Sequence, residues 1–181
     1  TSASNAENQI IKVLDMEPPV FDCPEDLTLS AQAYDCISVA HELTFVEEVY
    51  DCSDYTPGYQ ILTLDEVDIT MDYLENENTI NGLPVGSYYL LYLATDACGN
   101  IGRCTTALEV IDDVAPFAVC DGYTQVALTS NGFAELFATS IDDDSFDNCG
   151  DITMEIAKMT DACTWGLDFG PTVRFCCDEV G

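Results

Sequence analysis

A repeat with a 97-residue period, a series of short β-branched and aromatic runs between turn residues, and ten cysteines predict an all-β fold of tandem immunoglobulin-like antiparallel β-sandwiches, stapled by disulfides. The repeat carries most weight. Residues 11–23 (IKVLDMEPPVFDC) align without a gap to residues 108–120 (LEVIDDVAPFAVC), so that Val13 matches Val110, Asp15 matches Asp112, Pro19 matches Pro116 and Cys23 matches Cys120. Cys52 and Cys149 match at the same offset. A 97-residue period is about one immunoglobulin-like sandwich and exceeds the roughly 20 to 50 residues of solenoid and propeller repeats. On this frame residues 1–14 are the last strand of a preceding or partner-completed sandwich. Residues 15–111 form one complete domain, and residues 112–181 form a second domain, incomplete at its C-terminal end. Tandem-repeat logic favours an excerpt of a longer array over an open sandwich completed by strand addition from a neighbouring chain.

Along the chain, residues 27–31, 37–49, 59–64, 67–73, 87–95 and 104–111 read as strands, because β-branched and aromatic residues dominate them and turn residues separate them. The run 87–95 (SYYLLYLAT) is apolar on both faces, as befits a central strand covered on both sides. Asn81-Gly82 and Asn131-Gly132 mark turns, and no long segment shows helical periodicity.

Composition bounds the function. The chain holds 34 Asp plus Glu against 4 Lys plus Arg, a formal net charge of −30. That charge repels phosphate backbones and anionic membranes, which excludes nucleic acid as a partner. With 48% hydrophobic residues and 18 aromatics, the chain has enough apolar surface for packed cores, unlike a disordered acidic tail. Self-repulsion on this scale calls for bound cations, and calcium leads the candidates. Ten cysteines without a C-x2-C pair point to disulfides in an oxidising compartment. No apolar run of about 18 residues is present for membrane insertion, and the first residues lack the basic and apolar regions of a signal peptide. The sequence reads as mature protein or as part of a longer exported chain.

Three stretches carry a family resemblance: Pro18-Pro19-x-x-x-Cys23-Pro24-x-Asp26-Leu27-Thr28, Leu83-Pro84-Val85-Gly86-Ser87-Tyr88, and Ala94-Thr95-Asp96-Ala97-Cys98-Gly99-Asn100-x-x-x-Cys104. They resemble the HYR (hyalin repeat) immunoglobulin-like family. In the second unit, Ala115-Pro116-x-x-x-Cys120, Ser145-Phe146-Asp147-Asn148-Cys149-Gly150 and Phe175-Cys176-Cys177-Asp178-x-Val180-Gly181 are similar to repeats of giant surface adhesins of gliding bacteria with type IX secretion. The resemblance spans residues 10–181 and implies extracellular adhesion or structural spacing at the cell surface in long filaments, not catalysis. Asp51-Cys52-Ser53 departs from the usual Asp-Asn-Cys, and Cys36 has Phe133 at its repeat position.

In an immunoglobulin-like topology the start of the first strand and two loops share one end of the sandwich. That topology pairs Cys52 with Cys98 and Cys23 with Cys104, and leaves Cys36 over; a pairing across units or a shifted pattern stays open. Adjacent Cys176 and Cys177 point to opposite faces of a strand and take different partners. The same end gathers Asp15, Glu17, Asp51, Asp54, Asp96 and Asn100, and the next repeat gathers Asp112, Asp113, Asp147, Asn148 and Asp151. Calcium takes six to eight oxygen ligands, so each set is a candidate junction site, with solvated acidic turns as the alternative. Asp142-Asp143-Asp144 extend the second set, without the glycine and glutamate of an EF-hand.

Catalysis finds no support. His41 is the only histidine and lies in an expected strand, and no nucleophile elbow, P-loop or H-E-x-x-H occurs. Tyr88, Tyr89, Tyr92 and Phe137 read as core, whereas Trp165 lies in a loop-like stretch where it can contact glycans. The expected function is a calcium-stiffened spacer and attachment repeat whose partners are neighbouring repeats or like subunits and surface glycans. Two alternatives compete: a fibre subunit completed by strand exchange, and a carbohydrate-binding module of a secreted enzyme.

Overall fold

The computed structural model describes residues 10–159 and 169–180. The chain separates into one unit of Thr1–Ala31 and Ile37–Ile111 and a second of Gln32–Cys36 and Asp112–Gly181. Both are built from strands and turns. The helical elements among the described residues are a single α-turn and two short 3-10 turns.

The first unit contains β1 (Val20–Phe21), β2 (Leu27–Gln32), β3 (Asp35–Ser38), β4 (His41–Glu42), β5 (Val49–Tyr50) and β6 (Tyr55–Thr63). These are followed by α1 (Thr70–Tyr73), β7 (Leu74–Glu75), β8 (Thr79–Ile80), β9 (Gly86–Asp96) and β10 (Ile101–Ile111). The sheet order is β3-β2-β10-β9-β6 in one sheet and β4-β8-β7 in the other, with β1 and β5 as a separate pair. β9 is central, as its apolar faces predict: it pairs antiparallel with β10 from Ile101↔Thr95 to Val110↔Gly86 and with β6 from Tyr55↔Asp96 to Thr63↔Tyr88. β2 joins β10 in parallel, Leu108 opposite Leu27 and Val110 opposite Leu29. Alternation along β10 buries Thr106, Leu108 and Val110 and leaves Thr105, Ala107 and Glu109 outside.

Leu29, Ile61, Leu90, Leu108 and Val110 of the larger sheet share one core with Ile80 of the smaller and with Leu43 and Leu83, which follow its strands β4 and β8, so the two sheets form a sandwich. Phe45 closes one end of it, its ring 5.2 to 6.1 Å from those of Phe21, Tyr55, Tyr59 and Tyr92. Ser38 is buried at the seam between the strands, where its N–H donates to Leu83 O (2.7 Å) and its Oγ accepts the Leu83 N–H (3.1 Å).

Two expected strands are corrected. Residues 37–49 do not run as one strand but break into β3, β4 and β5, because the chain leaves the Asn78–Pro84 side after Leu43 to insert Phe45. Residues 67–73 turn into α1 because the Asp68 carboxylate accepts the Thr70 N–H (2.9 Å), a local bond that competes with a ladder. Asp68 is accordingly held below the ordinary carboxylate range, by the Thr70 hydroxyl first and its N–H second. Residues 10–14 belong to no strand, and residues 1–9 lie outside the described residues.

Cys23 and Cys104 form a disulfide across 81 residues, with Cα atoms 5.5 Å apart. Cys36 pairs with Cys149, Cα atoms 4.6 Å apart, within the second unit as defined above. Cys176 is also disulfide-bonded, whereas Cys177 is a free thiol.

The second unit pairs β11 (Phe133–Phe137) with β12 (Thr172–Cys176) in antiparallel register, and Ala134, Ala138 and Val173 are buried there. Lys158 ties it together: its Nζ sits 2.9 Å from Glu179 Oε1, donates to Arg174 O, and stands over the Phe175 ring. Several features of residues 15–111 return near the 97-residue offset. The Val20↔Tyr50 pair has a counterpart in the Phe117↔Phe146 bridge. The turn from Gln32 to Cys36 has one in the Thr129 to Phe133 turn, where Phe133 O accepts the Thr129 N–H and Gly132 adopts φ +78°.

Candidate functional site

Asp15 precedes β1, Asp51 and Cys52 follow β5, and the β9–β10 turn runs from Asp96 to Asn100. Short side-chain bonds draw the three segments together. The Cys52 thiol donates to Asp15 Oδ2 (2.9 Å), and the Glu17 N–H donates to Asp15 Oδ1 (3.2 Å). Asn100 Nδ2 donates to Asp15 O (3.4 Å) and to Asp96 Oδ2 (2.7 Å). Ser53 donates its N–H and hydroxyl to Asp51 Oδ1, and its Oγ accepts the Ala97 N–H. Among the described residues, Asp15, Asp51 and Cys52 are the one group of acidic or thiol side chains whose ligand atoms all lie within 4.8 Å of one another.

The electrostatics of the cluster follow from these bonds. The Cys52 thiol is pushed up to about 11, chiefly by its hydrogen bond to Asp15, then by desolvation and by the charges of Asp15 and Asp51. It is a protonated donor at neutral pH. Burial pushes Asp96 upward, but the Asn100 side chain and the N–H groups of Asn100, Cys98 and Gly99 outweigh that and hold it below the ordinary carboxylate range. Asp96 is 6% exposed and is taken up by its own turn.

These facts sort the expected ligands. Asp15 and Asp51 are brought together; Glu17 and Asp54 are exposed at the margin, and Asp96 with Asn100 builds the turn instead. The expected Cys52–Cys98 pair is corrected: both are exposed free thiols, and Cys52 is turned to Asp15. The expected Cys23–Cys104 pair is present. Cys36 takes Cys149, a partner in the second unit.

The second acidic set is not gathered into a metal-binding group. Asp112 Oδ1 accepts the Val114 N–H, Asp147 Oδ2 accepts the N–H groups of Cys149 and Gly150, and Asp113 and Asp151 are exposed. Asn148 donates to Gln32 O (2.9 Å) beside the Cys36–Cys149 disulfide. Asp142 accepts the Ser145 N–H and so shapes its own loop. Trp165 and Cys163 lie outside the described residues.

His41 sits half-buried in β4 opposite Ile80. Tyr92 is core as expected and Tyr88 half-buried, but Tyr89 is partly exposed, and Phe137 is 52% exposed because β11 turns it outward from buried Ala134 and Ala138. Sequence reasoning missed a stack of Tyr34, Phe117 and Phe146, with ring centroids 5.0 to 6.0 Å apart, in the second unit. Its only sequence signal was the repeat match of Phe117 to Val20, which does not reveal Tyr34. Neither a protein-family profile nor a curated protein matches the chain. The disulfides indicate an oxidising environment, extracellular or periplasmic. Among the described residues, no helix is long and apolar enough to cross a membrane.

Calcium, the cation expected from the charge balance, suits part of this arrangement. Asp15 and Asp51 are hard oxygen donors of the right kind, whereas the thiol between them is soft and Asp96 is committed to N–H donors. A calcium ion there would be held by the two carboxylates.

Proposed function

We propose that this chain is an extracellular structural repeat of a filamentous surface adhesin of the HYR-like kind, holding attachment regions at a distance and stiffened by calcium at its acidic loops. The observation that carries the reading is the repeat itself: an opening strand pair echoed by a single bridge, and a first turn that recurs, near a 97-residue offset, with disulfides in both units. Tandem units of this type suit extension and load, since each adds length without requiring a ligand. The high negative charge supports a role for divalent cations, which would relieve repulsion among acidic loops.

Scanning calorimetry at matched ionic strength tests the calcium part. Millimolar calcium is expected to raise Tm by several degrees relative to sodium chloride, and Asp15→Asn with Asp51→Asn is expected to abolish the difference. Equal Tm in calcium and sodium chloride overturns it. Adhesion is tested by coating beads with the protein and scoring retention on cells and polysaccharide films under flow. Saturable binding to one defined glycan would replace the spacer reading with a carbohydrate-binding module.

A further inference from the structure

Three contacts hold the turn Gln32–Cys36 in the second unit. Tyr34 stacks on Phe117 and Phe146 with ring centroids 5.8 and 6.0 Å away, Gln32 O accepts a hydrogen bond from Asn148 Nδ2 (2.9 Å), and Cys36 is disulfide-bonded to Cys149. The surface under the turn is the Phe117↔Phe146 bridge. The first unit carries the same surface 97 residues earlier: Val20 stands at the place of Phe117, its cross-strand partner Tyr50 lies one residue past the place of Phe146, and Cys52 stands at the place of Cys149. Directly opposite residues of a strand pair share a face, and a groove of about 420 Å³ lined by Val20 and Tyr50, with Phe21 and Val46, opens there. The amide contact is not reproduced. Asp51 stands at the place of Asn148, and its Oδ1 accepts the Ser53 N–H and hydroxyl, so a turn seated here is held by its ring and its sulfur.

We propose that the β1–β5 surface of the first unit receives a β-turn of the same kind from a further repeat of this type, its tyrosine ring against Val20 and Tyr50 and its cysteine bonded to Cys52. Like units in a repeat array reuse one interface, and the second unit shows that interface occupied. The occupant is not the turn of a second copy of this chain, because there Cys36 is already bonded to Cys149. Bond formation joins two thiols in one S–S bond, while their two protons and two electrons pass to a disulfide-carrying oxidant of the oxidising compartment. It also removes the hydrogen bond that the Cys52 thiol gives to Asp15. The assignment rests on the turn seated at the equivalent place, and on neither the adhesion nor the calcium reading.

A synthetic peptide of residues 30–38, its cysteine carried as the mixed disulfide with glutathione, tests this on the 181-residue chain, with a chelator present so that calcium has no part in the outcome. The Cys52 sulfur attacks the peptide sulfur and glutathione leaves as its thiol, so no other oxidant is needed. Because the Cys52 thiol is protonated at neutral pH, capture is read at equilibrium in a glutathione buffer, by peptide mass spectrometry at Cys52, Cys98, Cys120 and Cys177. Cys52 is expected to hold about three- to tenfold more of this peptide than of one with alanine in place of tyrosine, the range for aromatic contacts, and the other three thiols to show no preference. Tyr50→Ala and Val20→Ser are each expected to remove the preference, and both positions are exposed, so circular dichroism is expected to stay unchanged. Equal capture of the two peptides at Cys52, the same preference at all four thiols, a preference that both variants keep, or a Cys52–Cys98 bond that excludes the peptide overturns the proposal.

Discussion

Gly102 shows how one residue fixes the entry of the chain onto the sandwich. A Cβ there would run into the Pro19 carbonyl oxygen and meet the Pro19 carbonyl carbon at 3.0 Å, so only glycine lets the leading segment lie against β10. Gly102→Ala is expected to cost about 1–3 kcal/mol in urea unfolding, and a stability unchanged within error would show that this backbone approach is loose. Asp15 and Cys52 act at the same scale. Because the Asp15 hydrogen bond is the leading cause of the raised thiol pKa, Asp15→Asn is expected to speed iodoacetamide labelling of Cys52 at pH 8 on the order of tenfold, reduced in part by the lower nucleophilicity of a more acidic thiol. Peptide mass spectrometry reads this at Cys52 alone. An unchanged rate would show that the thiol does not donate to Asp15.

The β9–β10 connection is the element whose stability depends most plainly on one carboxylate. Asp96 has a lowered pKa in the fold, so its contribution is fully present above the ordinary value of 3.8 and is lost as pH falls through the lowered one. Asp96→Ala is therefore expected to lower Tm by about 5 °C at pH 7, with the two melting curves converging below pH 3.8. Curves that stay parallel to pH 2 would assign the loss to something other than ionised Asp96. Legibility also divides at this scale. β9 and β10 could be read because long β-branched and aromatic runs have no helical competitor, and Asp15 and Asp51 come together as the expected clustering of their loops implies, whereas Asp96 and Asn100 build their own turn. α1 could not, since its cause is one Asp68–Thr70 bond inside a β-like run. Cys36 found Cys149 across 113 residues, a partner that spacing alone cannot supply.

At the scale of the whole molecule, the −30 charge and the disulfides act in opposite directions. Repulsion among so many carboxylates favours expanded chains, while cross-links limit how far an unfolded chain can expand. Raising sodium chloride from about 10 mM to 200 mM is therefore expected to raise Tm, and a flat response would mean that the acidic groups are already neutralised by bound cations. The Cys23–Cys104 bond has a further consequence for a chain under tension. It sits where the polypeptide enters β2 and crosses β10, and Cys36 is joined in turn to Cys149, so a pull transmitted along the backbone runs through both bonds and residues 24–36 and bypasses residues 37–103. Those residues represent roughly 230 Å of contour length at full extension. That length stays locked while the bond is intact, and a force spectrometer would record it as an additional unfolding step only after a reductant has been added.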